Sequence, residues 1–215
     1  MYILIVGNYD GKHLGCKVDT ASDGLEARDY CLSLEFDAVV LVPPFRDMTA
    51  IQLVRELRAE KVQVPIVLLA DASVNPANMT DMLAAGMDAH APLASSPEYV
   101  RALLQAVIRR SQGHARSVIS VGGLCVDMTN RTVSIDGEQA HLTGKEYEML
   151  ELLALRQGQV VTKEAFMSHL YQERDEPEIK IIDVLICKLR KKVPGYIETV
   201  WGRGYVLREN AAVAA

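Results

Sequence analysis

Residues 179–208 carry seven Lys or Arg against two Asp or Glu, whereas residues 144–178 carry four against eight. The cations are not scattered. Placed on a helix at about 100° per residue, Lys180, Val184, Cys187 and Lys191 share one face, with Asp183, Lys188 and Arg190 at its flanks. Ile182, Leu185, Ile186, Leu189 and Val193 cluster on the other side and must face a core. Ammonium and guanidinium groups among small apolar side chains suit a DNA major groove. The cations meet phosphates and guanine edges, and Val184 meets a thymine methyl. Arg203 stands between Gly202 and Gly204, a basic side chain on a narrow tip able to enter a minor groove.

The elements that must hold these residues in place are legible on either side. Val118–Val121, Leu124–Asp127, Thr132–Ile135 and Gln139–Leu142 are short alternating runs, and Asp136-Gly137 between the last two is a strong hairpin signal. A small antiparallel sheet follows. Thr143, with Glu146 three residues on, opens a helix by a capping box, and Tyr147, Leu150, Leu153 and Ala154 form its inward stripe. Thr162 caps a second helix, Lys163–Leu170, and Pro177 opens a third, Glu178–Val193. The alternating segments Ile197–Thr199 and Tyr205–Leu207 then close a hairpin around Gly202–Gly204. Three helices followed by a hairpin spell a winged helix-turn-helix.

The first half has a different grammar. Tyr2–Val6, Ala38–Val42 and Ile66–Leu69 are apolar runs rich in β-branched residues, and they alternate with amphipathic segments at Leu25–Leu34 and Ala50–Glu60. Proline marks two more helix starts, at Pro76 before Met79–Ala85 and at Pro97 before Tyr99–Arg110. This pattern predicts a doubly wound parallel sheet with its functional edge at the carboxyl ends of the strands. Only Gly7–Gly15 separates the first strand from the next candidate strand at Cys16–Thr20. A parallel crossover with a full helix needs at least about 10–12 residues, so the first helix is expected to be absent or a single turn. Its loss should bare an apolar patch on one sheet face, for a second copy or the neighbouring domain to cover.

Residues 1–110 resemble the receiver domain of bacterial response regulators. The resemblance implies a flavodoxin-like fold in which acidic residues after the first strand hold Mg²⁺ and an Asp after the third accepts a phosphoryl group. A Ser or Thr after the fourth strand and a Lys after the fifth respond to it. In this chain the acidic pair's place is held by Gly7, Asn8 and Tyr9, with only Asp10 nearby. The acceptor position in DAVVLVPPFRDM falls on Val42, the hydroxyl position in PIVLLADAS on Ala70, and the Lys position in GMDAHAPLAS on Leu93. Valine has no nucleophilic oxygen, so the resemblance leads to an atypical receiver with a degenerate phosphorylation site.

Residues 118–208 resemble the effector domain of the OmpR/PhoB class of response regulators. The strings HLTGKEYEMLELL, DEPEIKIIDVLICKLRKK and IETVWGRGYVLR are similar to those of CtrA-type cell-cycle regulators. What this implies is a transcription regulator that binds double-stranded DNA as a homodimer and touches RNA polymerase through the loop before the third helix, here Tyr171–Glu176. With the trigger lost and the reader kept, DNA binding is expected to be independent of phosphorylation. The alternative is a receiver-like domain that senses a protein or small ligand and gates DNA binding.

Bulk properties fit this reading. A chain of 215 residues with 49% apolar and 24% charged residues has room for two cores. The domains are expected at 1–110 and 118–208, with a linker at 111–117 and a disordered tail at 209–215. The fold class is α/β for the receiver part and α+β for the winged helix. Cys16, Cys31, Cys125 and Cys187 lack CxxC spacing and nearby His, which argues against a disulfide framework or zinc site. No nucleophile–base motif, glycine-rich phosphate loop or metal-ligand cluster supports an enzyme, and no cofactor is expected. With no apolar run of membrane-spanning length, a cytoplasmic protein without membrane partners is expected.

Overall fold

The computed structural model describes residues 1–71, 76–171 and 177–209. The chain divides into two compact units, Met1–Ser111 and Gln112–Ala215.

The first unit is a five-stranded parallel sheet of order β2-β1-β3-β4-β5, with β1 Tyr2–Gly7, β2 Lys17–Ala21, β3 Ala38–Val42, β4 Ile66–Ala70 and β5 Ala89–Pro92. Four helices, α1 Gly24–Ser33, α2 Ala50–Ala59, α3 Pro76–Ala85 and α4 Pro97–Ser111, connect or follow the strands. Both sheet faces are covered, which is why β3 is buried along its whole length rather than alternately. Tyr2, Leu4, Val6, Val39, Leu41 and Leu68 pack with Leu53, Val54 and Leu57 of α2 and with Ala27 and Met82. A capping box at Thr49 and Gln52 starts α2.

Between β1 and β2 the chain makes only a one-turn 3₁₀ helix, Gly11–Leu14, as the short spacing requires. Asp10 caps it by accepting the Lys12 N–H at 3.1 Å. Among the described residues the expected bare patch, however, is not found. Ile3, Ile5, Leu14, Val100 and Leu104 are fully buried. The turn lies directly on the sheet because Gly11 has no side chain; a Cβ there would stand 2.6 Å from Ile5 Cδ1. From α4, the Arg101 guanidinium reaches over Gly15. Burial of each such aliphatic side chain is worth about 2 kcal/mol, so a single turn plus α4 is enough to close this face within the unit.

In the second unit, β6 Val118–Val121, β7 Leu124–Asp127, β8 Thr132–Ile135 and β9 Glu138–Ala140 form an antiparallel meander. The β8–β9 loop is Asp136-Gly137, with φ of 52° and 85°. Two positive values make a type I′ turn, whose twist matches the strands it joins. Then come α5 Gly144–Leu155, α6 Lys163–Leu170, α7 Ile181–Lys192 and the hairpin β10 Ile197–Val200 with β11 Gly204–Leu207. Phe166, Leu150, Leu153, Ile182, Ile186, Leu189 and Val206 are fully or almost fully buried. The third helix is shorter than its sequence suggests. Residues 178–180 make i→i+3 bonds, Ile181 N–H to Glu178 O at 2.9 Å and Ile182 N–H to Ile179 O at 3.2 Å, so the regular helix starts after Lys180. In the 111–117 segment, Ser111 ends α4 and the His114 Nε2 lies 3.0 Å from the Leu155 carbonyl oxygen at the end of α5.

Candidate nucleic-acid interface

The inward stripe of α7 is Ile182, Ile186 and Leu189, followed by Val193; Leu185 is only half-buried. This burial fixes the helix rotation and turns Val184, Cys187, Lys188 and Lys191 to solvent, Val184 at 48% exposure. Lys180 stands at the N-cap position without a side-chain capping bond and is largely exposed, its Nζ 3.9 Å from Glu178. Asp183 in the first turn and Arg190, Lys191 and Lys192 in the last complement the helix dipole.

Arg190 is placed differently from the other cations. It is half-buried, donating from Nε to Ile197 O at 3.1 Å and from NH2 to Thr199 Oγ1 at 2.7 Å, with its guanidinium 5.5 Å from the Tyr205 ring. The helix period alone set it beside the outer face; the hairpin draws it inward. Lys192, the last cation of α7, is drawn to Glu146.

Asp183 joins three elements. It accepts from Lys163 Nζ of α6 at 2.8 Å and from the Tyr205 hydroxyl of β11. These bonds, Lys163 foremost, hold the Asp183 carboxyl below the usual carboxylate range, while burial and then Asp183 push the Tyr205 hydroxyl up to about 12. The hairpin is also clamped from below by reciprocal Val161–Tyr205 backbone bonds at 2.8 and 2.9 Å. Helix α7 and the hairpin are thus tied into one surface. Between them lies an open groove of about 510 Å³ whose walls include Lys163, Asp183, Thr199, Trp201, Arg203 and Tyr205. Trp201 is 90% exposed. Its only signal in the sequence is a lone large aromatic at the hairpin tip, directly before Gly202.

In the first unit, register gathers the predicted positions at the carboxyl edge of the sheet. Gly7 pairs with Val42, and Ala70 with Pro92, so that the Leu93 N–H reaches Ala70 O at 3.0 Å. Asn8 is exposed and Tyr9 half-buried, while Val42 is only 4% exposed. Gly7 has φ of 101°, and a Cβ there would stand 2.2 Å from Val42 O, so no acidic side chain fits at that position. Magnesium requires carboxylate oxygens, and Gly7, Asn8, Tyr9 and Val42 do not offer that set. Among the described residues no three His, Cys, Asp or Glu are placed to hold a metal ion. Two other aspartates of this unit are bound to backbone N–H groups. Asp47 accepts the N–H groups of Gly24, Leu25 and Met48 at 3.0, 2.8 and 2.9 Å, and Asp37 accepts that of Tyr2 at 2.7 Å.

The loop proposed from sequence as a polymerase contact, Tyr171–Glu176, lies outside the described residues except for Tyr171, whose ring carries the Lys145 ammonium 3.5 Å from its centroid. The tail from residue 210 onward is likewise outside them.

Comparison with known proteins places this architecture. Residues 137–207 match the family model described as transcriptional regulatory protein, C terminal. The chain is 44% identical over 204 residues to the cell cycle transcriptional regulator CtrA of Caulobacter vibrioides, covering 92% of this chain and 88% of that protein. It is 45% identical over 204 residues to the cell cycle response regulator CtrA of Brucella anthropi, covering 91% and 86%. Among solved structures, the response regulator DrrB, a Thermotoga maritima OmpR/PhoB homologue, aligns over 97% of this chain and 99% of its own at 25% identity and a TM-score of 0.45. A winged helix of this family behind a receiver-like sheet defines a DNA-binding transcription regulator of the response-regulator type. The chain belongs to the CtrA family within the OmpR/PhoB class.

Proposed function

We propose that this regulator binds duplex DNA sequence-specifically, as a homodimer, without aspartyl phosphorylation. Lys180, just before α7, and Val184, Cys187, Lys188 and Lys191 of α7 face the major groove, Arg190 stands at its edge, and Arg203 of the hairpin reaches the minor groove. The observation that carries phosphate independence is Val42, a buried valine at the strand end where the family resemblance implies the acceptor, beside a Gly7 that admits no side chain. A phosphoryl group needs a nucleophilic oxygen and a counter-cation, and this edge offers neither at the matching positions. The dimer and a polymerase contact through residues 171–176 follow from the resemblance.

A second reading, in which a partner on the receiver-like unit gates DNA binding, is favoured by Leu25 and Leu32, seven residues apart on α1 and 56% and 50% exposed, with Leu34 beyond them at 43%. The experiment that tests the first reading is selection of bound duplexes from a random pool by purified protein never exposed to a kinase or phosphodonor. An enriched motif is expected. Enrichment that appears only after phosphodonor treatment overturns phosphate independence, and none under either condition overturns the reader assignment.

A further inference from the structure

Trp201 is the only tryptophan of the chain and, at 90% exposure, has the most open large apolar side chain among the described residues. Folding did not place it there for packing, because an indole left in water forgoes about 2–3 kcal/mol of burial. Its backbone sits in a closed turn. The Arg203 N–H donates to Val200 O at 2.9 Å and closes a four-residue turn with Trp201 second and Gly202 third, at φ 72°, where a type II turn requires a positive value. Below the turn, Gly204 packs so tightly on Val161 that a Cβ would stand 2.1 Å from its carbonyl oxygen. The Val161–Tyr205 bonds hold the base of this hairpin.

The indole shares its groove with Arg203, Lys163 and the first turn of α7. Of the two acids there, Asp183 is matched by Lys163 and Tyr205, and Glu164 is the other. An aromatic face with a single N–H donor, one residue away from an arginine, fits a deoxyribose–phosphate strand: apolar sugar against the ring, phosphate oxygen for the Nε1–H and the guanidinium.

We propose that Trp201 is a DNA-contact residue whose indole lies against the sugar–phosphate strand bordering the minor groove that Arg203 enters. This rests on the DNA-binding reading above and adds to it a residue that contributes affinity through apolar contact, insensitive to salt.

The lone indole supplies its own readout. Purified full-length protein is titrated with a duplex enriched from the random pool, while gel retardation, tryptophan emission and acrylamide quenching are followed together. Emission is expected to move to shorter wavelength and quenching to fall in step with retardation. Trp201→Ala is expected to bind about tenfold more weakly with an unchanged salt slope, and Trp201→Phe to recover most of the loss. Thermal melting should be nearly unaltered, since the side chain is 90% exposed and buries little area. Full retardation with quenching unchanged overturns the Trp201 contact and leaves the DNA reading intact. Protection that rises with protein concentration in the absence of duplex assigns the indole to a second copy and overturns the proposal. Retardation of no duplex overturns both.

Discussion

The Nζ of Lys192 lies 2.7 Å from Oε2 of Glu146, pinning the last turn of α7 to the first turn of α5. Glu146 is almost completely buried. Burial acts on it most strongly and opposes its charge, but the bonds from Lys192 and from the Thr143 N–H and hydroxyl together outweigh it and hold the carboxyl below the usual range. The last turn of α7 is therefore positioned by one of the seven cations of residues 179–208.

That pair has a pH signature. A carboxyl lowered in the folded state stabilises fully above its unfolded value, about 4.3, and the contribution fades as pH falls through the folded value. Melting followed from pH 7 to pH 3 should show this loss in the winged-helix unit, and Glu146→Gln should melt lower at neutral pH with a shallower acid slope. Lys192→Met should cost about 1–3 kcal/mol, at the low end for a buried pair because the lysine is a third exposed. Equal acid slopes in wild type and Glu146→Gln would remove Glu146 from this role.

Arginine and lysine on α7 should separate by assay. Lys191→Ala or Arg203→Ala is expected to weaken binding to every duplex and to lower the salt-dependence slope by about one. Arg190→Ala is expected instead to lower the melting temperature, at about 1–3 kcal/mol, because it removes two charge-assisted bonds to β10. Arg190→Lys should not restore stability, since one ammonium cannot reproduce the planar fork. Duplex titration over a salt series, beside a thermal melt, reads both. A salt slope unchanged in Lys191→Ala would move the reading face elsewhere.

Phosphodonor treatment with Mg²⁺ should leave the wild-type band unshifted on a phosphate-affinity gel, and Val42→Ala should leave duplex affinity unchanged. Asp47→Asn should lower the melting temperature of the first unit. Its carboxylate caps the start of α1 and is held below the usual range, first by the Gly24 N–H. A shifted band that vanishes in Asp47→Asn would show phosphorylation relocated to that residue.

Gly204→Ala should be far more damaging than Gly202→Ala. Both have positive φ, 145° and 72°, but a Cβ at Gly204 meets the Val161 backbone, whereas one at Gly202 meets nothing within 4 Å. The expected loss is about 1–2 kcal/mol at Gly202 and more at Gly204, with weakened DNA binding at Gly204 as the hairpin shifts. Similar melting curves for the two variants would mean that the hairpin base is not fixed by this contact.

Much of this molecule was readable before any coordinates. The bounds of β3, β6, β7, β8 and α6 coincide with those read from pattern and capping residues, and the one-turn connection before β2 followed from counting residues against the length of a crossover. Such features are local, governed by period, caps and chain reach. Three things were not legible. Apolar residues on β1 signalled burial without saying that Gly11 would let a single turn lie against Ile5. Arg190 was assigned by helical phase, yet its partners Ile197 and Thr199 come from the following hairpin. Trp201 carried no periodic signal because it belongs to a turn.

The sequence alone supplied the residues proposed to carry the chemistry: the cations and small apolar groups of one helix face, an arginine between glycines, and a valine at the strand end where the family resemblance implies a carboxylate. These depend on side-chain type and near-neighbour spacing. Only the tertiary structure decided which cations are committed inside the protein and which remain on its surface. An ion pair or hydrogen bond across elements, as for Arg190, Lys192 and Lys163, depends on distances that folding creates between residues remote in the chain.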